Sequence, residues 1–393
     1  MLGVMASTVV HAAGVGTAAL WQAAAMGRTG LRRNDRSWCD LECWIGSVPG
    51  VDENTLPTSL QGWDCRNHRL AWMALQDATF RRTLDAAIGR YGAHRVGLVL
   101  GTTTAGIRST EIAYAQRRET GRWPADFHYR QSHALDALCR FSAEVLRLQG
   151  PMVTLSTACS SSAKVFLVAR RWVDAGLVDA VVVGGVDSLC LSTLHGFNAL
   201  QLLSNDICRP FDAERSGISI GEAAGFVLLD NAPAAVRFVG GGESSDAWHM
   251  TAPHPEGVGA QQAMRVALDS AGLAPADIGY VNAHGTATSA NDRAEAAALS
   301  AIFGEHGVPV SSTKGTTGHT LGAAGIVEAI VTIEAIERQT LPASANLNAP
   351  DLSLALDLVL QSRPTALRYA MSNNFGFGGS NCSLIFGRSD RHG

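Results

Sequence analysis

Lysine is almost absent: of 31 basic residues only Lys164 and Lys314 are lysines, and the rest are arginines. Excess positive charge is missing too, since 35 acidic residues leave a net charge of −4, which argues against a general nucleic-acid or membrane-surface binder. The zinc-site pattern is also lacking. Among eight cysteines Cys39 and Cys43 lie four apart, but no second close Cys/Cys or Cys/His pair completes a site. His128/His133 and His249/His254 are five apart, a poor spacing for ligands on one helix face. Leu2 to Met26 carries no Lys, Arg, Asp or Glu, yet no basic segment precedes the apolar run, and His11 with Gly14-Val15-Gly16 interrupts it. A signal peptide and a membrane span are therefore not expected. The reading that remains is a reduced, cytoplasmic, metal-free chain that opens with a buried strand, a turn and an Ala-rich helix.

What is present is material for a large core. The chain has 393 residues, 46% hydrophobic and 17% charged, too long for one ordinary core and suited to two halves. Strand-like apolar runs alternate with helical patterns throughout, which predicts an α/β fold with buried strands. Strands are expected at 95–102, 152–157 and 179–186, with a helix running through Arg170 and Trp172. A Pro/Ala-rich run after Asp230 marks a seam, dividing the chain into halves of 1–235 and 236–393. The second half repeats the scheme, with strands at 278–283, 308–312, 369–373 and 382–386 and helices over about 292–303 and 321–338.

Several residues in this pattern could carry chemistry. Cys159, in Ser156-Thr-Ala-Cys-Ser-Ser-Ser162, sits where a strand gives way to a helix. A thiol there sees free N–H groups and the positive end of the helix dipole, which favours thiolate; a buried structural cysteine is the other reading. His284 leaves a strand end in Asn282-Ala-His-Gly-Thr-Ala-Thr288, with two threonines placed to hold an amide-bearing substrate arm, or else is a structural histidine. Lys314 and His319 share the glycine-rich turn Ser312-Thr-Lys-Gly-Thr-Thr-Gly-His-Thr-Leu-Gly-Ala-Ala-Gly325. A lysine in this arginine-rich chain suggests a need for a compact ammonium; the alternative is an incidental charge at a helix terminus. Asp292 and Glu295 fit a capping box, and Glu295 could also pair with Lys314. Asn374-Phe-Gly-Phe-Gly-Gly379 is either a hairpin turn with an aromatic plug or a loop whose amides enter a site.

Taken in order, Thr-Ala-Cys-Ser-Ser, His-Gly-Thr-Ala-Thr, the Lys314–Gly325 turn and Asn-Phe-Gly-Phe-Gly-Gly resemble the β-ketoacyl-ACP synthase I/II group. Cys208-Arg-Pro-Phe-Asp-Ala-Glu-Arg-Ser-Gly217 and Asp246-Ala-Trp-His-Met-Thr-Ala-Pro253 extend the resemblance over nearly the whole chain. It implies the thiolase fold, two similar βαβαβαβ halves in a five-layer α-β-α-β-α core. It also implies a Cys159-His284-His319 site that takes an acyl chain from the phosphopantetheine arm of an acyl carrier protein, with no cofactor bound by the chain itself. Malonyl-ACP would then lose CO₂ and its carbanion would attack the acyl-Cys159 thioester. By the same resemblance, N–H groups of Cys159 and Phe377 hold an oxyanion, and Thr286 and Thr288 grip pantetheine. Phe375 and Gly378 contact substrate, Lys314 with Glu295 organises the charges, and Phe377 gates the site. The implied partners are the carrier protein and a second subunit, either an identical chain or a related ketosynthase-like or chain-length-factor subunit.

Some details depart from the family's usual pattern. Three serines follow Cys159 where Ala-Thr is usual, Lys164 replaces an apolar or His residue, and the Cys159-to-His284 separation is short. These point to a secondary-pathway synthase, such as one extending aryl-polyene chains. A non-catalytic chain-length partner would lack Cys159. A thiolase would need a second cysteine in a late Cys-x-Gly setting, and Cys382 is followed by Ser-Leu. An acyltransferase that uses the acyl-Cys intermediate is the remaining alternative. Arg32/Arg33/Arg36 and Arg117/Arg118 are candidate contacts for an acidic carrier, or simply solvated charge.

Overall fold

The computed structural model describes residues 1–389. The first half contains β1 (Leu2–His11), α1 (Thr17–Ala25), α2 (Arg66–Leu75), α3 (Ala78–Tyr91), β2 (Val96–Gly101), α4 (Ala137–Leu146), β3 (Met152–Leu155), α5 (Ser161–Asp174), β4 (Ala180–Asp187) and β5 (Ala223–Asp230). The second contains β6 (Val236–Ser245), α6 (Val258–Ala271), β7 (Ile278–Asn282), α7 (Ser289–Phe303), β8 (Pro309–Ser311), α8 (Ala324–Arg338), β9 (Tyr369–Gly376) and β10 (Ser380–Arg388). Every residue of β4 and β5 is buried, so both strands read as continuous apolar runs rather than alternating ones.

The two halves repeat one sheet. In the first the strand order is β1-β5-β4-β2-β3, with β1, β5 and β4 antiparallel and β4, β2 and β3 parallel. In the second it is β6-β10-β9-β7-β8, with the same switch from antiparallel to parallel pairing. Strands β1 and β6 join the sheets edge to edge through Leu2↔Phe238 and Gly3↔Arg237.

Three apolar clusters give the layers. One holds α5 and α8 between the sheets, a second packs α2, α3 and α4 on the outer face of the first sheet, and a third packs α6 and α7 on the outer face of the second. The result is the five-layer α-β-α-β-α thiolase arrangement. Helix α8 is buried from Ala324 to Ile336, as a helix sandwiched between two sheets must be.

Its contact with α5 is close enough to require glycine, because a Cβ on Gly325 would lie 2.3 Å from the Ala163 nitrogen. Ser162 completes this crossing, its Oγ accepting from the Ile326 N–H at 2.9 Å. That contact gives the third serine after Cys159 a structural role. Lys164 has one as well: it reaches from α5 to Glu243 on β6 at 3.6 Å, beside the Arg171–Glu243 pair at 2.6 Å, and so ties the two halves together.

Candidate active site

The repeat decides where the chemistry collects. Helices α5 and α8 follow equivalent strands, β3 and β8, so the turns leading into them lie at the same edge of the molecule. Cys159 precedes α5 and His319 precedes α8; His284 follows the end of β7. Ligand-type atoms of Cys159, His284 and His319 all lie within 4.8 Å of one another. The two imidazole rings meet edge to face at 5.3 Å. Together with Thr286, Thr288, Phe375 and Phe377 they line one pocket.

Hydrogen bonds set both histidine tautomers. The Leu321 backbone N–H donates to His319 Nδ1 at 3.1 Å, so that nitrogen carries no proton and Nε2 does. Lys314 Nζ lies 3.2 Å from His284 Nδ1 and also contacts the His284 carbonyl and Glu328 Oε1. Three acceptors use all three protons of an ammonium, which itself cannot accept, so His284 too is an Nε2–H donor. Burial, Lys314 and the neighbouring His319 hold the His284 pKa well below the usual imidazole value; burial and Lys314 do the same for His319. The set Cys-His-His has the composition of a zinc site but the wrong protonation. A metal needs the Nε2 lone pair, and here both Nδ1 atoms are engaged as acceptors beside a buried ammonium.

Three expectations are corrected at this point. Lys314 pairs with Glu328 rather than Glu295, because Glu328 projects from α8 directly at the turn that carries the lysine. Glu295 instead accepts from the His284 and Gly285 N–H groups at 2.8 and 2.7 Å. The capping box does not form either: Thr288 caps α7 by accepting from Asn291 N–H, while Asp292 accepts from Thr286 and Ala287 N–H at 3.0 and 3.2 Å. Four consecutive amides of the His284 loop thus end on two buried carboxylates one turn apart on α7. Burial pushes Glu295 and Glu328 up to about 7, against the pull of their donors.

The other correction concerns Cys159. It is 6% exposed, and burial pushes its thiol up to about 11, although Lys314 and the Phe377 N–H pull it down. A helix start by itself therefore does not make this thiol a resting thiolate, because loss of bulk water disfavours the charged sulfur.

The hairpin between β9 and β10 holds Phe377, whose ring packs 5.5 Å from that of Phe197, while Phe375 packs 6.0 Å from His284. Gly378 lines the pocket, but its N–H is already given to the Met250 carbonyl at 2.8 Å. Asp246 braces the same turn, donating its N–H to Gly379 O at 2.9 Å and accepting from Asn381 Nδ2 at 2.6 Å. The hydroxyls of Thr286 and Thr288 lie 2.9 Å apart at the pocket wall. The Cys208–Gly217 segment supports the His284 loop from behind: Arg215 lies between Asp292 and Asp351 at 3.6 and 2.8 Å. Of the surface arginines, Arg36 turns inward to Asp52 at 2.6 Å and Arg117 lies over Trp123.

Sequence reasoning missed Glu328, Asn374 and Asp187. Asn374 Nδ2 donates to Glu328 Oε2, completing a buried cluster beneath the histidines. The available signal for Glu328 was a carboxylate inside a helix whose other neighbouring positions are apolar, since a buried charge implies a partner.

The model for the N-terminal domain of beta-ketoacyl synthase matches residues 67–235, and that for its C-terminal domain matches residues 236–348. The 3-oxoacyl-[acyl-carrier-protein] synthase 2 of Vibrio cholerae is 37% identical over 321 residues, covering 77% of this chain and 78% of that protein. A ketosynthase from Xenorhabdus doucetiae, solved in complex with its chain length factor, superposes with a TM-score of 0.90 at 39% identity, covering 99% of this chain and 98% of that one. A beta-ketoacyl synthase from Burkholderia phymatum gives a TM-score of 0.87 at 30% identity, with 99% of both chains covered.

Proposed function

Because the chain belongs to the beta-ketoacyl synthase family, we propose that its pocket performs decarboxylative Claisen condensation, with Cys159 as nucleophile and His284 and His319 as paired hydrogen-bond donors. The chain is a 3-oxoacyl-ACP synthase type of condensing enzyme, an acyltransferase that serves fatty acid, polyketide or aryl-polyene elongation. The half spanning 1–235 brings the nucleophile and that spanning 236–393 brings the histidines. Substrates arrive on a carrier protein's phosphopantetheine arm, gripped by Thr286 and Thr288, and the chain needs no cofactor of its own. In this reading it works in the cytoplasm beside that carrier, as a homodimer or with a chain-length-factor-like partner.

The first step is acyl exchange. The Cys159 sulfur bonds to the acyl carbonyl carbon, the bond to the pantetheine sulfur breaks, and the thiol proton leaves with the pantetheine thiol. With its thiol raised by burial, Cys159 gives up that proton during transfer rather than before it.

In the second step the malonyl C–CO₂ bond breaks. Its electron pair moves onto the thioester oxygen as an enolate, which accepts from the two Nε2–H groups. The carbanion carbon then bonds to the acyl carbonyl, whose oxyanion accepts from the Cys159 and Phe377 N–H groups, and the Cys159 thiolate leaves. Phe377 gates passage between the two states.

The observation that carries this reading is the convergence of Cys159 on two imidazoles whose Nδ1 atoms both accept. Cys159→Ala should lose the mass shift seen after incubation with acyl-ACP, and His319→Ala should impair CO₂ release from malonyl-ACP more than acyl transfer. Persistent acylation in the first variant, or normal CO₂ release in the second, would overturn the assignment.

A further inference from the structure

We propose that Asp187 is a positioning residue for the condensation, which locks His319 as an Nε2–H donor by holding the turn that follows it. This rests on the function proposed above and assigns a second layer to that site.

Asp187 ends β4 and is fully buried. Its Oδ1 faces a crowd of donors on the loop after β2: Thr102 Oγ1 at 2.8 Å, Thr103 N at 2.8 Å, Thr104 N at 2.9 Å and Thr104 Oγ1 at 3.0 Å. Its Oδ2 accepts from Thr103 Oγ1 and from the Gly322 N–H at 2.6 Å. One carboxylate thus spans from the first half's sheet to the turn at the start of α8.

The residue before Gly322 is Leu321, a non-glycine at φ +54, whose N–H is the donor to His319 Nδ1. A leucine in that region is strained and stays there only when its surroundings hold it. The backbone of His319 is pinned separately, donating to Ser219 O at 2.8 Å and accepting from Gly221 N at 2.9 Å. What remains adjustable is the Leu321 peptide, and the Gly322 N–H bond to Asp187 fixes it. The charged or titratable groups around the imidazole are Lys314 in the same turn, His284 beyond β7 and Cys159 at the start of α5; none supplies an acceptor for a protonated Nδ1.

The asymmetry of the carboxylate makes a selective test. In Asp187→Asn the amide oxygen stays where the several Thr102–Thr104 donors converge, so the new NH₂ must face the Gly322 N–H. Two donors then oppose each other, and the Leu321–Gly322 turn is the arm that gives way. His319 Nδ1 becomes free to take a proton, and a protonated or re-tautomerised ring no longer presents the same donor.

The experiment measures CO₂ release from malonyl-ACP and Cys159 acylation by acyl-ACP, each against pH, in the full chain. Asp187→Asn should lower CO₂ release by about tenfold to a hundredfold at neutral pH, with a new acid limb that lies below the ordinary imidazole value of about 6.5, because burial and Lys314 still act on His319. Acylation should change by no more than about twofold. Thr104→Val, which removes one donor to Oδ1 and the acceptor of the Ser188 N–H but leaves the Gly322 bond to Oδ2 in place, should keep the wild-type pH profile. Parallel loss of both half-reactions with no acid limb would reduce Asp187 to scaffold and overturn the proposal. Should Asp187→Asn fail to fold, histidine-selective ¹⁵N NMR of the wild type decides: His319 must show protonated Nε2 and bare Nδ1, and an Nδ1–H signal refutes it. Wild-type protein that releases no CO₂ at all would instead count against the function proposed above.

Discussion

Replacing Glu328 by alanine would strand Lys314, which is 1% exposed and has its only carboxylate partner there among the described residues. The variant also frees Asn374 Nδ2 from its acceptor. Removing one member of a buried ion pair costs about 3–5 kcal/mol, because the remaining charge has neither partner nor water. For a chain of this size that loss lowers Tm by roughly 4–6 °C. Removing both charges behaves differently. Lys314→Met with Glu328→Leu fills similar volume with apolar groups, which is often neutral or stabilising, so most of the lost Tm should return. Catalysis should not return with it, because the double variant leaves His284 Nδ1 without its ammonium donor. The assay is therefore paired: thermal unfolding beside CO₂ release from malonyl-ACP, for wild type, Glu328→Ala and the double variant. A Glu328→Ala protein melting within about 1 °C of wild type would refute the buried-pair argument. A double variant with wild-type CO₂ release would refute the role given to the lysine.

Two further outcomes follow from the same electrostatics. Burial raises the Cys159 thiol to about 11, so its alkylation by iodoacetamide, followed by peptide mass mapping, should climb about tenfold per pH unit from near neutrality to about pH 10; a plateau below about pH 8 would contradict it. Glu295→Gln sets an amide NH₂ against one of the two backbone N–H groups the carboxylate now accepts, costing about 1–3 kcal/mol in thermal unfolding and reducing CO₂ release more than acylation. An unchanged Tm and rate would mean that these two amides do not hold His284.

Much of the fold was legible because buried parallel strands and sandwiched helices leave strong local signals. The expected strand at 179–186 forms as Ala180–Asp187, and the helix expected through Arg170 and Trp172 as Ser161–Asp174. The charge pairing was not legible. Asp292 and Glu295 are spaced as a capping box, and local spacing assigns them to their own helix. In the folded chain Thr288 caps instead, and both carboxylates turn back to the preceding loop. Likewise Lys314 has Glu295 and Glu328 at comparable separations in sequence, and only the path of α8 chooses between them.

The sequence alone pointed to the residues that line the candidate site, though not to Glu328, Asn374 or Asp187 beneath them. Cys159, His284, Lys314, His319 and the Gly-Phe-Gly-Gly turn each stand at a strand end, where motif and spacing can be read locally. Tertiary structure decided their states. The histidine tautomers depend on a backbone N–H from Leu321 and an ammonium held by Glu328, and the thiol depends on how completely the pocket excludes water. Protonation follows from burial and from partners distant in sequence, and those exist only once the two halves have closed around α5 and α8.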